Sequence, residues 1–156
     1  MSENADELAD DLAAIRAIIA RQFASLSWSR HAPADWSSFL GDFVEGALLY
    51  PAARPTRSQS VTAFVDRMKT LSGTTLRSFH ETVLGCEIRI FGNIAVAAAA
   101  VEITENNADV SRSVEMMLLV KSDGAWRIAS QAWDKASPDN PIPESLLHGG
   151  RDGTAS

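Results

Sequence analysis

The 156-residue chain is long enough for one domain with a substantial core, and its hydrophobic share of 46% is that of a globular protein. A formal charge of -6 and a pI near 5.0 argue against nucleic acid, which needs a basic stripe to displace counterions. No basic amphipathic segment suits an anionic membrane, and no run approaches the roughly 18 apolar residues of a membrane span. The single cysteine, Cys86, lies in an apolar run with no second thiol to pair with. The acidic residues 1–7 lack the basic and apolar regions of a signal peptide, so the expected location is the cytoplasm.

In chain order, Leu8, Leu12, Ile15, Ile19, Phe23 and Leu26 recur at steps of three and four, the apolar stripe of a helix. Asn4 and Glu7 have the spacing of a capping pair, and the acidic residues around them suit the positive end of the dipole. Residues 34–40 suit a short helix with Trp36 and Phe39 turned inward, and residues 43–50 a first strand ended by Pro51. Two prolines make 51–57 a loop. Val61, Phe64, Val65, Met68 and Leu71 form the stripe of a second amphipathic helix, which Gly73 ends.

The remaining pattern is antiparallel sheet. Gly92-Asn93 and Asp123-Gly124 each sit between alternating apolar runs, the signal of a tight hairpin. Simple pairing about the first turn sets Ile90 opposite Ala95, Ile88 opposite Ala97, Cys86 opposite Ala99 and Leu84 opposite Val101. About the second it sets Leu119 opposite Ile128, Met117 opposite Ser130 and Glu115 opposite Ala132. On that alternation His80, Glu115 and Asp134 share the apolar face, while Glu81 and Trp133 face the other way. A β-bulge in either ladder would exchange the faces beyond it. The domain is expected to span residues 1–137, with 138–156 an extended tail and 149–156 mobile.

A histidine and carboxylates facing an apolar cavity are the groups whose pKa values desolvation moves toward neutrality, as general acid–base catalysis requires. His80 is therefore the candidate acid/base, with Asp134 or Glu115 to orient it. Tyr50, Phe64, Met68, Met117, Trp126 and Ser130 are the candidate ligand-binding residues. Each also has a plain reading as core, cap or ion-pair partner. His31, His80 and His148 lack zinc-type spacing, and no P-loop, dinucleotide fingerprint or nucleophile elbow is present, so neither metal nor cofactor is expected. Gly85, Ala98, Ala100, Val83, Val96, Met116, Leu118 and Trp133 give the opposite face an apolar character too. A sheet apolar on both sides needs a second cover, and a homodimer through that outer face, with Glu102 and Arg112 at its rim, is the expectation.

The element order, together with residues 43–50, Phe79-His80-Glu81, Phe91-Gly92-Asn93-Ile94-Ala95 and Gly124-Ala125-Trp126-Arg127-Ile128, resembles the NTF2-like (SnoaL-like) superfamily over about residues 8–134. The resemblance implies an α+β cone, a curved antiparallel sheet wrapped around N-terminal helices with an internal pocket, and commonly a dimer through the outer sheet face. Members range over isomerases, cyclases, dehydratases, transport factors and association domains, so the fold alone chooses no activity. The ketosteroid isomerases carry a catalytic aspartate at the end of the first strand, where this chain has Leu48-Leu49-Tyr50-Pro51. Their second, protonated aspartate would fall near Met116 or Met117, close to Glu115. The expected function is binding of a small hydrophobic or carbonyl-bearing molecule with acid/base turnover of the dehydratase, isomerase or cyclase kind. The alternative is a non-catalytic association or ligand-carrier domain.

Overall fold

Residues 2–147 and 152–154 are described by a computed structural model. Helix α1 (Ser2–Ser25) leads through a short link to α2 (Trp36–Gly41), and strand β1 (Phe43–Tyr50) follows. The loop after Pro51 enters the two-residue strand β2 (Gln59–Ser60) and helix α3 (Val61–Ser72). Four long strands come next: β3 (Phe79–Phe91), β4 (Ile94–Glu105), β5 (Asp109–Ser122) and β6 (Ala125–Lys135). A 3₁₀ turn (Glu144–Leu146) precedes β7 (Asp152–Thr154), which lies parallel to β3. The strands form one mixed sheet in the order β2-β1-β6-β5-β4-β3-β7. Of the segment 149–156, expected to be mobile, only 152–154 lies within the described residues.

Local chemistry sets the helix limits. Asp35 accepts a hydrogen bond from the Ser38 amide at the start of α2, and Ser60 accepts one from the Ala63 amide at the start of α3. Asn4 lies inside α1, which begins at Ser2, and so does not cap it. The inward stripe of α1 places Ile15, Ile18, Ile19 and Phe23 at 4% exposure or less against the sheet. They share one core with Ala95, Ala97 and Ala99 of β4, and the strand that the helix packs on most is β3. Trp28 then pins the end of α1 to the start of β3. It exchanges backbone hydrogen bonds with Phe79, stacks on its ring at 4.9 Å, and donates its indole N–H to the Leu76 carbonyl.

Three irregularities bend the sheet. In β1 the pairing with β6 shifts between Phe43 and Leu48, around Gly46 at φ 81°, a conformation that a side chain would strain. In β3, Val83 pairs with Val101 but Gly85 with Ala100, so Leu84 is an extra residue. In β6, Leu118 of β5 pairs with Ser130 but Leu119 with Ile128, so Ala129 is extra. Near the turns the expected pairs are observed, namely Ile90–Ala95, Ile88–Ala97, Cys86–Ala99 and Leu119–Ile128. Beyond the bulges they are not. Val83 takes the place expected for Leu84, Gln131 lies opposite Met117, and Trp133 lies opposite Glu115. One inserted residue exchanges the faces of everything past it, because side chains alternate with period two.

Candidate functional site

Between the sheet and the three helices a cavity of about 620 Å³ opens to the surface. The aromatic run on one wall comes from four elements: Phe39 of α2, Phe43 of β1, Phe64 of α3 and Trp133 of β6. Phe39 packs on Phe43 at 5.1 Å and stacks on Phe64 at 5.6 Å, and Phe64 meets Trp133 edge-on at 5.9 Å. Met68 and Leu71 of α3 continue the apolar wall, and Pro51, Ala52 and Ala53 also border the cavity.

Beside this wall, with Glu115 cross-strand from Trp133, runs a chain of buried and half-buried polar groups. Gln22 of α1 and Gln131 of β6 exchange amide hydrogen bonds of 2.7 and 3.0 Å. The Gln131 side-chain amide also donates to Glu115 Oε1 at 2.6 Å. Glu115 in turn meets Glu81 of β3 carboxyl to carboxyl, a contact that requires a proton between them. The network thus links four elements. Glu115 faces inward from β5 opposite Ala99 of β4, whose methyl group leaves room for the carboxylate.

Burial pushes the Glu115 carboxyl up to about 7, against the hydrogen bonds from Gln131 and Glu81 that favour its charged form. Glu81 is held well above the ordinary carboxylate range by burial, by repulsion from Glu115, and by the hydrogen bond to it. Burial and mutual repulsion keep the two carboxyls from ionising together, so the pair gives up one proton while retaining the other. A singly protonated pair is one acid and one base side by side.

The structure brings only part of the expected site together. Glu115 is buried on the cavity wall as expected, and Phe64 and Met68 line it. His80 is exposed on the other face of β3, because the extra residue Leu84 reverses the alternation and brings Glu81 inward. Asp134 is likewise reversed by the extra residue Ala129. It is exposed at the cavity edge, its carboxylate accepting from the Lys135 amide. Met117 is buried in the core. Trp126 is buried with its indole N–H on Asp11, which also receives Lys121. Tyr50 and Ser130 border a second cleft, of about 400 Å³, on the outer face of the sheet.

Sequence reading missed Glu81, Gln131 and Gln22. For Gln22 a signal existed: it falls three residues after Ile19 and four before Leu26, a polar side chain within the apolar stripe of α1. For Glu81 and Gln131 no pattern marks the bulges that turn them inward. Among the described residues no group of three or more His, Cys, Asp or Glu side chains is placed to hold a metal ion.

No family model matches the chain, and no curated protein matches it in sequence. Solved structures do. A candidate scytalone dehydratase from Novosphingobium aromaticivorans superposes with a TM-score of 0.70 at 14% identity, covering 85% of this chain and 89% of that one. A hexachlorocyclohexane dehydrochlorinase from Novosphingobium barchaimii gives 0.67 at 11% identity, covering 86% and 91%. An NTF2-like protein of unknown function from Shewanella baltica gives 0.59 at 14% identity, covering 83% and 96%. At such identities the likeness is one of fold.

Proposed function

From the NTF2-like α+β cone, which is the fold of this chain, we propose that the protein binds a small, largely apolar molecule in the main cavity. We further propose that the Glu81–Glu115 pair carries out acid/base chemistry on it. The observation that carries this reading is the proton-sharing carboxyl pair beside an aromatic and aliphatic wall, in a cavity that Gln22, Gln131, Arg67 and Arg112 also line. As carboxylate, Glu115 takes a proton from the carbon beside a ligand carbonyl. The proton then returns to another carbon of the same molecule, an isomerisation. In a 1,2-elimination Glu81 instead gives its proton to a departing hydroxyl, releasing water. The reading sets His80 aside for Glu81, which the bulge has put in its place. Two of the similar structures are named for elimination reactions, which is consistent with this chemistry without establishing it.

The test is α-proton exchange in D₂O with α-tetralone, a bicyclic ketone of suitable size, followed by NMR. The protein is expected to accelerate loss of the C2 proton signal, along a pH profile that rises through about 7 as Glu115 ionises. Glu115→Gln should lower the exchange about 100-fold or more. Binding without exchange would favour the other reading, a ligand carrier.

The outer face supports a homodimer. Met116 is 60% exposed, Val96 52%, Leu118 43% and Leu48 40%. Glu87 and Arg89 flank the outer cleft together, so a twofold axis can set Glu87 of one copy against Arg89 of the other. Val83 and Trp133, expected on this face, are turned inward by the two bulges. Glu102 and Arg112 form an ion pair of 3.0 Å. Light scattering at micromolar concentration should give twice the chain mass, and Met116→Lys should halve it. A wild-type monomer would remove the inference. The acidic composition and single cysteine support a cytoplasmic location, and no described helix is long and apolar enough to cross a membrane.

A further inference from the structure

Among the described residues two buried side-chain polar atoms have no hydrogen-bond partner, Gln59 Nε2 and Ser113 Oγ. Of the two, Ser113 lines the main cavity. It is 3% exposed and lies on the inward face of β5, two residues from Glu115. Across the ladder it meets Val101 of β4, itself paired with Val83 of β3. Both are aliphatic, and on the other side of the ladder the partner is Lys135 of β6, with which the hydroxyl makes no hydrogen bond. A hydroxyl buried without a partner destabilises the folded state, and alanine at this position would avoid that loss. The polar wall described above is thus complete at Gln22, Gln131, Glu115 and Glu81, and incomplete at Ser113.

Resting on the ligand-pocket reading, we propose that Ser113 determines specificity. Its hydroxyl hydrogen-bonds a carbonyl or hydroxyl oxygen on a neutral molecule whose body is apolar. Inward residues two apart on a strand are separated by about 7 Å. An oxygen about 2.8 Å from Ser113 therefore leaves the adjoining carbon within reach of Glu115. Ser113 fixes the oxygen and the carboxyl pair meets the neighbouring carbon. The aromatic wall of Phe39, Phe64 and Trp133 takes the ring or chain, and the hydroxyl rewards oxygenated over purely hydrocarbon ligands of equal size.

The experiment uses two probes of one skeleton, 2-acetylnaphthalene and 2-ethylnaphthalene, titrated into wild type and Ser113→Ala with tryptophan fluorescence as readout. Wild type is expected to bind the ketone about tenfold more tightly. Ser113→Ala should bring the two affinities within about twofold of each other, leave the hydrocarbon affinity unchanged, and keep or raise the unliganded Tm. The last readout separates a binding role from a structural one, since loss of a structural hydrogen bond would lower Tm. Equal wild-type affinity for both probes, a preference surviving in Ser113→Ala, or a lowered Tm would each overturn the assignment while leaving the pocket reading in place. Binding of neither probe would overturn both.

Discussion

The inner face of the sheet has two halves made by the same four strands. In one, Ile88, Ile90, Met117, Leu119 and Ile128 lie against Ile15, Ile18 and Ile19 of α1, none more than 4% exposed. In the other, Glu81, Ser113, Glu115, Gln131 and Trp133 surround an open cavity. The extra residues Leu84 and Ala129 stand at the border. A strand that kept one alternation throughout would bury His80 and Asp134 and expose Glu81 and Trp133. A single inserted residue per strand changes what the far half presents while leaving the near half packed.

Substitutions can break this contrast. The largest effect is expected in the packed half. Leu119→Ala empties a fully buried site and should cost about 2–5 kcal/mol in urea denaturation, with ligand affinity changed far less than stability.

Next is Glu115→Gln in the open half, where the effect on stability has the opposite sign and depends on pH. The ordinary carboxyl value is 4.5 and burial raises it to about 7 in the folded protein. Below about 4.5 both states are protonated and the group is neutral to stability. Between these values the unfolded chain releases its proton while the folded one keeps it, so stability falls as pH rises. Above about 7 the loss is complete. Glu115→Gln should therefore stabilise by roughly 1–3 kcal/mol at pH 8 and by almost nothing at pH 4. Thermal melts at the two pH values read the difference. A variant less stable than wild type at pH 8 would show that the carboxylate is better accommodated than the apolar cavity implies.

The smallest effect sharpens the border itself. His80→Ala, on the exposed side of the bulged strand, should change stability by less than about 0.5 kcal/mol and leave ligand binding intact. A large loss of binding would mean that the exposed face of β3 contributes to the site.

The sequence announced the packed half well and the open half poorly, for a physical reason. Helix stripes such as Ile15, Ile19 and Phe23, and hairpins closed by Gly92-Asn93 and Asp123-Gly124, are local signals, and all of them led to the observed elements. Pairing counted outward from a turn is right until the first irregularity. Cys86–Ala99 is observed, and the next pair, Leu84–Val101, is not. Nothing in the residue types around Leu84 or Ala129 separates a bulged ladder from a regular one, because both neighbourhoods read as ordinary strand. Glu115 was legible because β5 alternates regularly against β4 throughout its length. Glu81 and Gln131 lie beyond bulges in their own strands and were not.

At the cavity edge, one guanidinium nitrogen of Arg54 reaches back to the carbonyls of Pro51, Ala52 and Ala53 at 3.2, 2.8 and 3.2 Å. Those three residues border the cavity. The doorway is thus braced from behind by its own chain. On the proposed ligand-pocket reading, a molecule entering past these residues would meet a segment already held in shape, and little conformational freedom would be lost there. Arrival and departure at this edge should accordingly follow simple one-step kinetics, with no slow phase of loop ordering.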